Sequence, residues 1–201
     1  MARPRTFDMD ATLDGMLDVF WRQGFAATSI PDLSNATDLL PGSLYAAFGS
    51  KDEMFRRSLA RYAAWIAAQM PRGVRGLKGV EAGLNTIVQL TVADRERRGC
   101  PMLNAIPEAR ELSPEIQADI TTGLTWMRRY FEKRVREAME EAKADVDASD
   151  LASLLLASVV SIRVLGRSKM PQATLQQIAH GAATAVRDAL SRSEKTKRRK
   201  T

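Results

Sequence analysis

Residues 42–55 read GSLYAAFGSKDEMF. A short helical stretch runs from Pro41 to Phe48 and stops at Gly49-Ser50, and a second helix starts at once with Lys51-Asp52-Glu53. Leu44 and Phe48 stand four apart, so one face of the short helix belongs to a core. The other face offers Gly42, Ser43, Ala46 and Ala47, small enough for the helix to approach another surface closely, with Tyr45 at its edge.

Working upstream, SIPDLSNAT (29–37) predicts another short helix, capped by Thr28 or Ser29 and with Pro31 tolerated in its first turn. A turn through Asp38 joins the two. Before them, Met9, Leu13, Met16, Leu17 and Phe20 form one apolar face of a first helix, and Gly24 in RQGF supplies a left-handed terminus. Two short helices joined by a tight turn and followed by a longer one make a helix-turn-helix.

Downstream, the fourth helix runs from Asp52 to about Met70, with Phe55, Leu59, Tyr62 and Ile66 on one face. MPRGVRGLKG (70–79) breaks the pattern and marks a boundary. Further helices are expected at about 79–94, 101–112, 114–143, 149–167 and 172–191, with Pro107 kinking or shortening its own. No strand alternation appears, so the expected class is all-α with about nine helices. The expected division is a helix-turn-helix domain over 1–70 (motif about 29–48, linking helix 52–70), a helical domain over 71–191, and a basic disordered tail over 192–201.

The net charge of +6 does not by itself identify the partner. Residues 1–62 carry 7 Lys/Arg against 8 Asp/Glu, residues 63–191 carry 17 against 15, and the last ten carry 6 against 1. The excess sits in a terminal block of the kind that binds polyanions without sequence preference or only solubilises a chain end. The DNA reading therefore rests on geometry. The bare face of the 41–48 helix fits a major groove, the Tyr45 phenol can donate to a phosphate, and Lys51 stands at a helix N-terminus, which favours anions. Tyr45 as a half-buried packing residue and Lys51 as a solvated surface charge remain the alternatives.

The stretch DVFWRQGFAATSIPDLSNATDLLPGSLYAAFGSKDEMF resembles the DNA-binding domain of the tetracycline-repressor (TetR) family. The elements that carry the resemblance are Gly24-Phe25, Ala27-Thr28-Ser29-Ile30, Gly42-Ser43-Leu44-Tyr45 and Phe48-x-Ser50-Lys51. It spans about residues 7–62. It implies a homodimeric repressor that leaves a palindromic operator when a small molecule binds its C-terminal domain. Three positions depart from the family pattern. Asp38 stands at the turn glycine, Leu40 at the polar cap before the reading helix, and Ala47 at a frequently polar position.

The expected DNA contacts are Arg3, Arg5, Thr28, Ser29, Pro41, Gly42, Ser43, Tyr45, Ala46 and Lys51, with Arg3 and Arg5 forming an arm that reaches a minor groove or contacts nothing. Trp65, Ile66, Cys100, Met102, Asn104, Trp126, Met127 and Tyr130 are the expected lining of a mainly apolar effector site, or ordinary core. Leu155, Val159, Ile162, Ala179, Ala183 and Val186 are the expected dimer contacts, on an apolar helix and a small-residue helix that form a four-helix bundle with their symmetry mates.

Cys100, beside two arginines and a helix start, reads either as a buried hydrophobe or as a reactive thiol that switches DNA binding. A protein that binds DNA without any ligand is the other open reading. No Ser/Cys–His–acid set, ligand cluster or phosphate-binding glycine loop points to an enzyme, and neither a metal nor a cofactor is expected. His180 reads as a surface or interface residue. The absence of an apolar leader in MARPRTFDMD, the single cysteine, and an apolar run of only twelve residues (151–162) point to a cytoplasmic protein without a membrane span.

Overall fold

The computed structural model describes residues 7–198, with side chains described through Ser193. Among these residues there are nine α-helices, one 3-10 turn and no strand: α1 Met9–Gln23, α2 Ile30–Thr37, α3 Pro41–Phe48, α4 Lys51–Gln69, α5 Gly76–Ala93, α6 Pro101–Ala105, the 3-10 turn Ile106–Glu108, α7 Pro114–Ala142, α8 Ala148–Arg167 and α9 Gln172–Arg198.

Local chemistry sets most of these boundaries. The Asp8 carboxylate accepts from the backbone N–H groups of Asp10 and Ala11 and starts α1, and Gly24 ends it at φ 85°. The helix expected at 101–112 is only α6, continued by the 3-10 turn that contains Pro107, whose ring removes a backbone donor. α9 passes the boundary expected at 191 and continues to Arg198.

Contacts divide the chain into two compact units: residues 1–68 with 100–121, and residues 69–99 with 122–201. The single cut expected near residue 70 does not capture this, because α6, the 3-10 turn and the first part of α7 belong with the N-terminal helices. Two long-range interactions within that first unit show why. The Glu108 carboxylate accepts the Ala26 N–H at 2.8 Å, and Arg56 Nε donates to Asp119 at 2.7 Å. The first unit's core is aromatic. Phe20, Phe25 and Phe55 meet with centroids 4.9–6.4 Å apart, beside buried Met16, Leu33, Leu44, Phe48 and Leu59. Each such side chain contributes about 1.5–3 kcal/mol of burial.

In the second unit α5, α8 and α9 pack pairwise around Leu84, Ile87, Leu155, Val159, Leu175 and Val186. Two buried arginines fix loops to this core. Arg163 of α8 donates to Thr91 Oγ1 at 3.2 Å and to the Gly99 carbonyl. Arg134 pairs with Glu137 at 3.0 Å, and Glu137 also accepts the Gly76 N–H at the start of α5. Burial pushes the Glu137 carboxyl up, but the Gly76 N–H and the Arg134 guanidinium outweigh it and hold it below the usual carboxylate range.

The helix expected at 149–167 is α8, Ala148–Arg167. At 20 residues and mean hydropathy 1.7, α8 is long and apolar enough to cross a membrane by length and composition. One stripe of it (Ala152, Leu155, Val159, Ile162 and Arg163) is nevertheless buried within the second unit.

Candidate nucleic-acid interface

α2 begins with a capping box: the Ser29 hydroxyl accepts the Asp32 N–H, and the Asp32 carboxylate accepts the Ser29 N–H at 2.9 Å. The same carboxylate takes the Ser29 hydroxyl proton at 2.6 Å, and these two bonds hold Asp32 below the usual carboxylate range. α2 ends in Asp38 at φ 54°, ψ 24°, the left-handed turn that an aspartate adopts at modest cost. The Ser34 hydroxyl donates to the Leu39 carbonyl across this turn.

α3 follows with Leu44 and Phe48 buried and Gly42, Ser43 and Ala46 exposed on the opposite side. Tyr45 is half exposed at the edge, and a Cβ placed on Gly42 would meet nothing within 4 Å. Among the described residues, the outer face of α3 is thus uncovered, as a groove-entering helix requires. α4 starts immediately after Gly49, and the Ser50 hydroxyl accepts the Glu53 N–H at 3.1 Å. Ser50-x-x-Glu53 is the sequence signal of that cap, and it escaped the sequence reading. Lys51 lies with its ammonium 4.6 Å from the Phe25 ring centroid and 3.4 Å from the Ala26 carbonyl. It is drawn across the helix start and remains partly exposed.

Thr28 is corrected. It is 1% exposed and its hydroxyl donates to the Gly24 carbonyl at 2.6 Å, so it closes the α1–α2 turn and cannot face DNA. Arg3 and Arg5 lie outside the described residues.

Comparisons with known proteins agree with this geometry. Residues 13–57 match the family model described as bacterial regulatory proteins of the tetR family, and residues 76–179 match that of the Tetracyclin repressor-like C-terminal domain. The transcriptional repressor ComR of Escherichia coli is 31% identical over 188 residues, 88% of each chain. The repressor BdcR of the same organism is 29% identical over 119 residues, 55% of this chain and 60% of that one. The chain belongs to the TetR family. A cysteine mutant of the TetR-family regulator CifR, solved with 26-bp double-strand operator DNA, superposes with a TM-score of 0.79 at 28% identity, covering 91% of this chain and 99% of that one. TetR-family proteins are DNA-binding transcriptional regulators and not enzymes, and this chain is one of them.

The residues expected around an effector fall into both units. Trp65, Ile66, Cys100, Met102 and Asn104 belong to the first, and Trp126, Met127 and Tyr130 to the second. In the first, Trp65 is exposed and packs with Tyr62 and Trp21, centroids 5.8 and 6.4 Å away, while Ile66 and Met102 are buried. Cys100 is the partly exposed N-cap of α6, and Asn104 is partly exposed. In the second, Trp126 and Tyr130 stand with centroids 6.2 Å apart, the Tyr130 hydroxyl donates to the Pro71 carbonyl, and Met127 is buried.

The six expected dimer contacts are also corrected. Leu155, Val159, Ile162, Ala179, Ala183 and Val186 are all buried inside the subunit, none more than 6% exposed. They pack the protomer's own core and present nothing to a partner. The exposed apolar side of α8 is instead Leu154, Ala157 and Val164 with Ser161.

Proposed function

We propose that this TetR-family regulator is a homodimeric repressor that occupies a (pseudo)palindromic operator and leaves it when a small, largely apolar effector binds. The observation that carries the reading is the free outer face of α3 between a capped α2 and the start of α4. One α3 reads only a few base pairs, so useful specificity needs two copies related by a two-fold axis. Pro41, Gly42, Ser43 and Ala46 approach the groove, while Ser29, Tyr45 and Lys51 meet phosphates.

The exposed residues of α8 at positions 154, 157, 161 and 164 recur every three or four residues, a stripe suited to pairing with its symmetry mate. The match of residues 76–179 to a repressor-type C-terminal domain supports an effector there, with Trp126 and Tyr130 offering stacking surface. By linkage, effector and operator weaken each other by the same factor, typically about 5- to 150-fold.

The test is titration of operator complexes with hydrophobic small molecules and with electrophiles, for the wild type and Cys100→Ser. Reversible release in both proteins supports the effector reading. Release only by electrophiles and only in the wild type assigns the trigger to the thiol, and release by nothing leaves a ligand-independent DNA-binding protein.

A further inference from the structure

Resting on the DNA-binding reading of α3, we infer that Leu40 is a specificity-determining residue: its side chain meets the C5-methyl group of a thymine in each operator half-site, with Ala46 adding a second apolar contact. Leu40 is 76% exposed, more than any other exposed large hydrophobic residue described. It occupies the N-cap of α3 in extended geometry (φ −65°, ψ 148°), where its carbonyl accepts the Ser43 N–H at 2.9 Å but its side chain caps nothing.

That position favours serine, threonine, aspartate or asparagine, because their oxygens take up a free N–H of the first turn. A leucine there gives up the cap and also exposes apolar surface to water. The fold gains nothing from either, so the advantage lies in the bound state.

The chemistry of α3 says what that advantage is. Pro41–Phe48 contains no Arg, Lys, Asn or Gln, so α3 cannot make the bidentate contacts that read guanine or adenine. Its one polar reader is the Ser43 hydroxyl, the Tyr45 phenol at the edge being left to a phosphate. The Lys51 ammonium is turned toward the Phe25 ring and the Ala26 carbonyl. Against the major groove, what remains is apolar contact, and the thymine methyl is the apolar group displayed there. The missing side chain at Gly42 and the single methyl of Ala46 let α3 sink far enough for Leu40, at its leading end, to reach that group.

The experiment begins with selection of a binding sequence from a randomised duplex pool by the wild type. The selected duplex is then synthesised with single dT→dU replacements, each removing one C5-methyl. Wild type is expected to lose about three- to five-fold in affinity at one or two thymines per half-site, the worth of one buried methyl-sized group. Leu40→Ala is expected to bind the dT and dU duplexes equally at one of these positions and to keep the other preferences. Leu40→Ser is expected to raise the thermal midpoint, through its restored cap, while losing the same discrimination. Stability and specificity moving in opposite directions separate reading from folding. Indifference of the wild type to every dT→dU change overturns the inference, as does a Leu40→Ala variant that weakens dT and dU duplexes alike. Selection that returns no consensus overturns the DNA-reading assignment of α3 itself.

Discussion

Glu108 offers a quantitative test of how residues 100–121 join the helix-turn-helix. Its carboxylate accepts the Ala26 N–H at 2.8 Å, just beyond Gly24, which sits at φ 85°, ψ 175°. A Cβ placed on Gly24 would fall inside the contact distance of that same carboxylate. A charged hydrogen bond to a backbone N–H contributes about 1.5–3 kcal/mol, and solvent exposure of this one brings it below that range, so Glu108→Ala should cost about 1 kcal/mol. Gly24→Ala meets two obstacles. The backbone region is nearly confined to glycine, at about 1–3 kcal/mol, and the Glu108 carboxylate must move, which breaks its bond to Ala26. In the Glu108→Ala background only the first obstacle remains. The double variant should therefore be about 1 kcal/mol more stable than the sum of the single effects requires. Urea denaturation followed by the fluorescence of Trp21 and Trp65 measures all four proteins. Strict additivity would refute the claim that Glu108 holds the α1–α2 turn.

Ser29→Ala should remove the α2 capping box at a cost of about 1 kcal/mol in urea denaturation. Because Asp32 is held below its ordinary pKa chiefly by the Ser29 hydroxyl, its contribution is complete above that ordinary value and is lost as pH falls through the lowered one. A carboxyl NMR titration should find Asp32 low in the wild type and raised in Ser29→Ala. Lys51→Ala should weaken binding to all duplexes similarly and reduce the salt slope by about one, as measured by fluorescence anisotropy. A changed sequence preference at unchanged slope would contradict its phosphate role. Leu155→Ala should cost about 2–5 kcal/mol of folding stability, whereas Ala157→Glu should leave the fold intact and yield monomers in sedimentation. A dimer that survives Ala157→Glu would move the interface off this face of α8.

The elements governed by neighbours in sequence were legible in advance. Gly24 as a terminus, a cap at Thr28 or Ser29 (the structure uses Ser29), Asp38 as a left-handed turn residue and Leu44 with Phe48 as the buried pair of α3 all depend on chemistry within a few positions, and all stand in the structure. What depends on distant partners was not legible. Nothing near Glu108 or Asp119 marks them as partners of Ala26 and Arg56, so the contacts that tie residues 100–121 to the N-terminal helices could not be read from the sequence. Apolar periodicity located α8 and α9 but could not say which stripe serves the protomer's core, and the six expected dimer contacts fell on that stripe. Thr28 sits in the family motif, yet its hydroxyl is used by the preceding turn, a choice that residue type alone leaves open.

What α3 reads is tested most directly by selection from a randomised duplex pool at physiological salt. The expected product is an inverted repeat whose half-sites are centred about one helical turn apart, enriched in thymine where Leu40 and Ala46 approach. An asymmetric consensus, or binding without sequence preference that vanishes as salt rises, would contradict it.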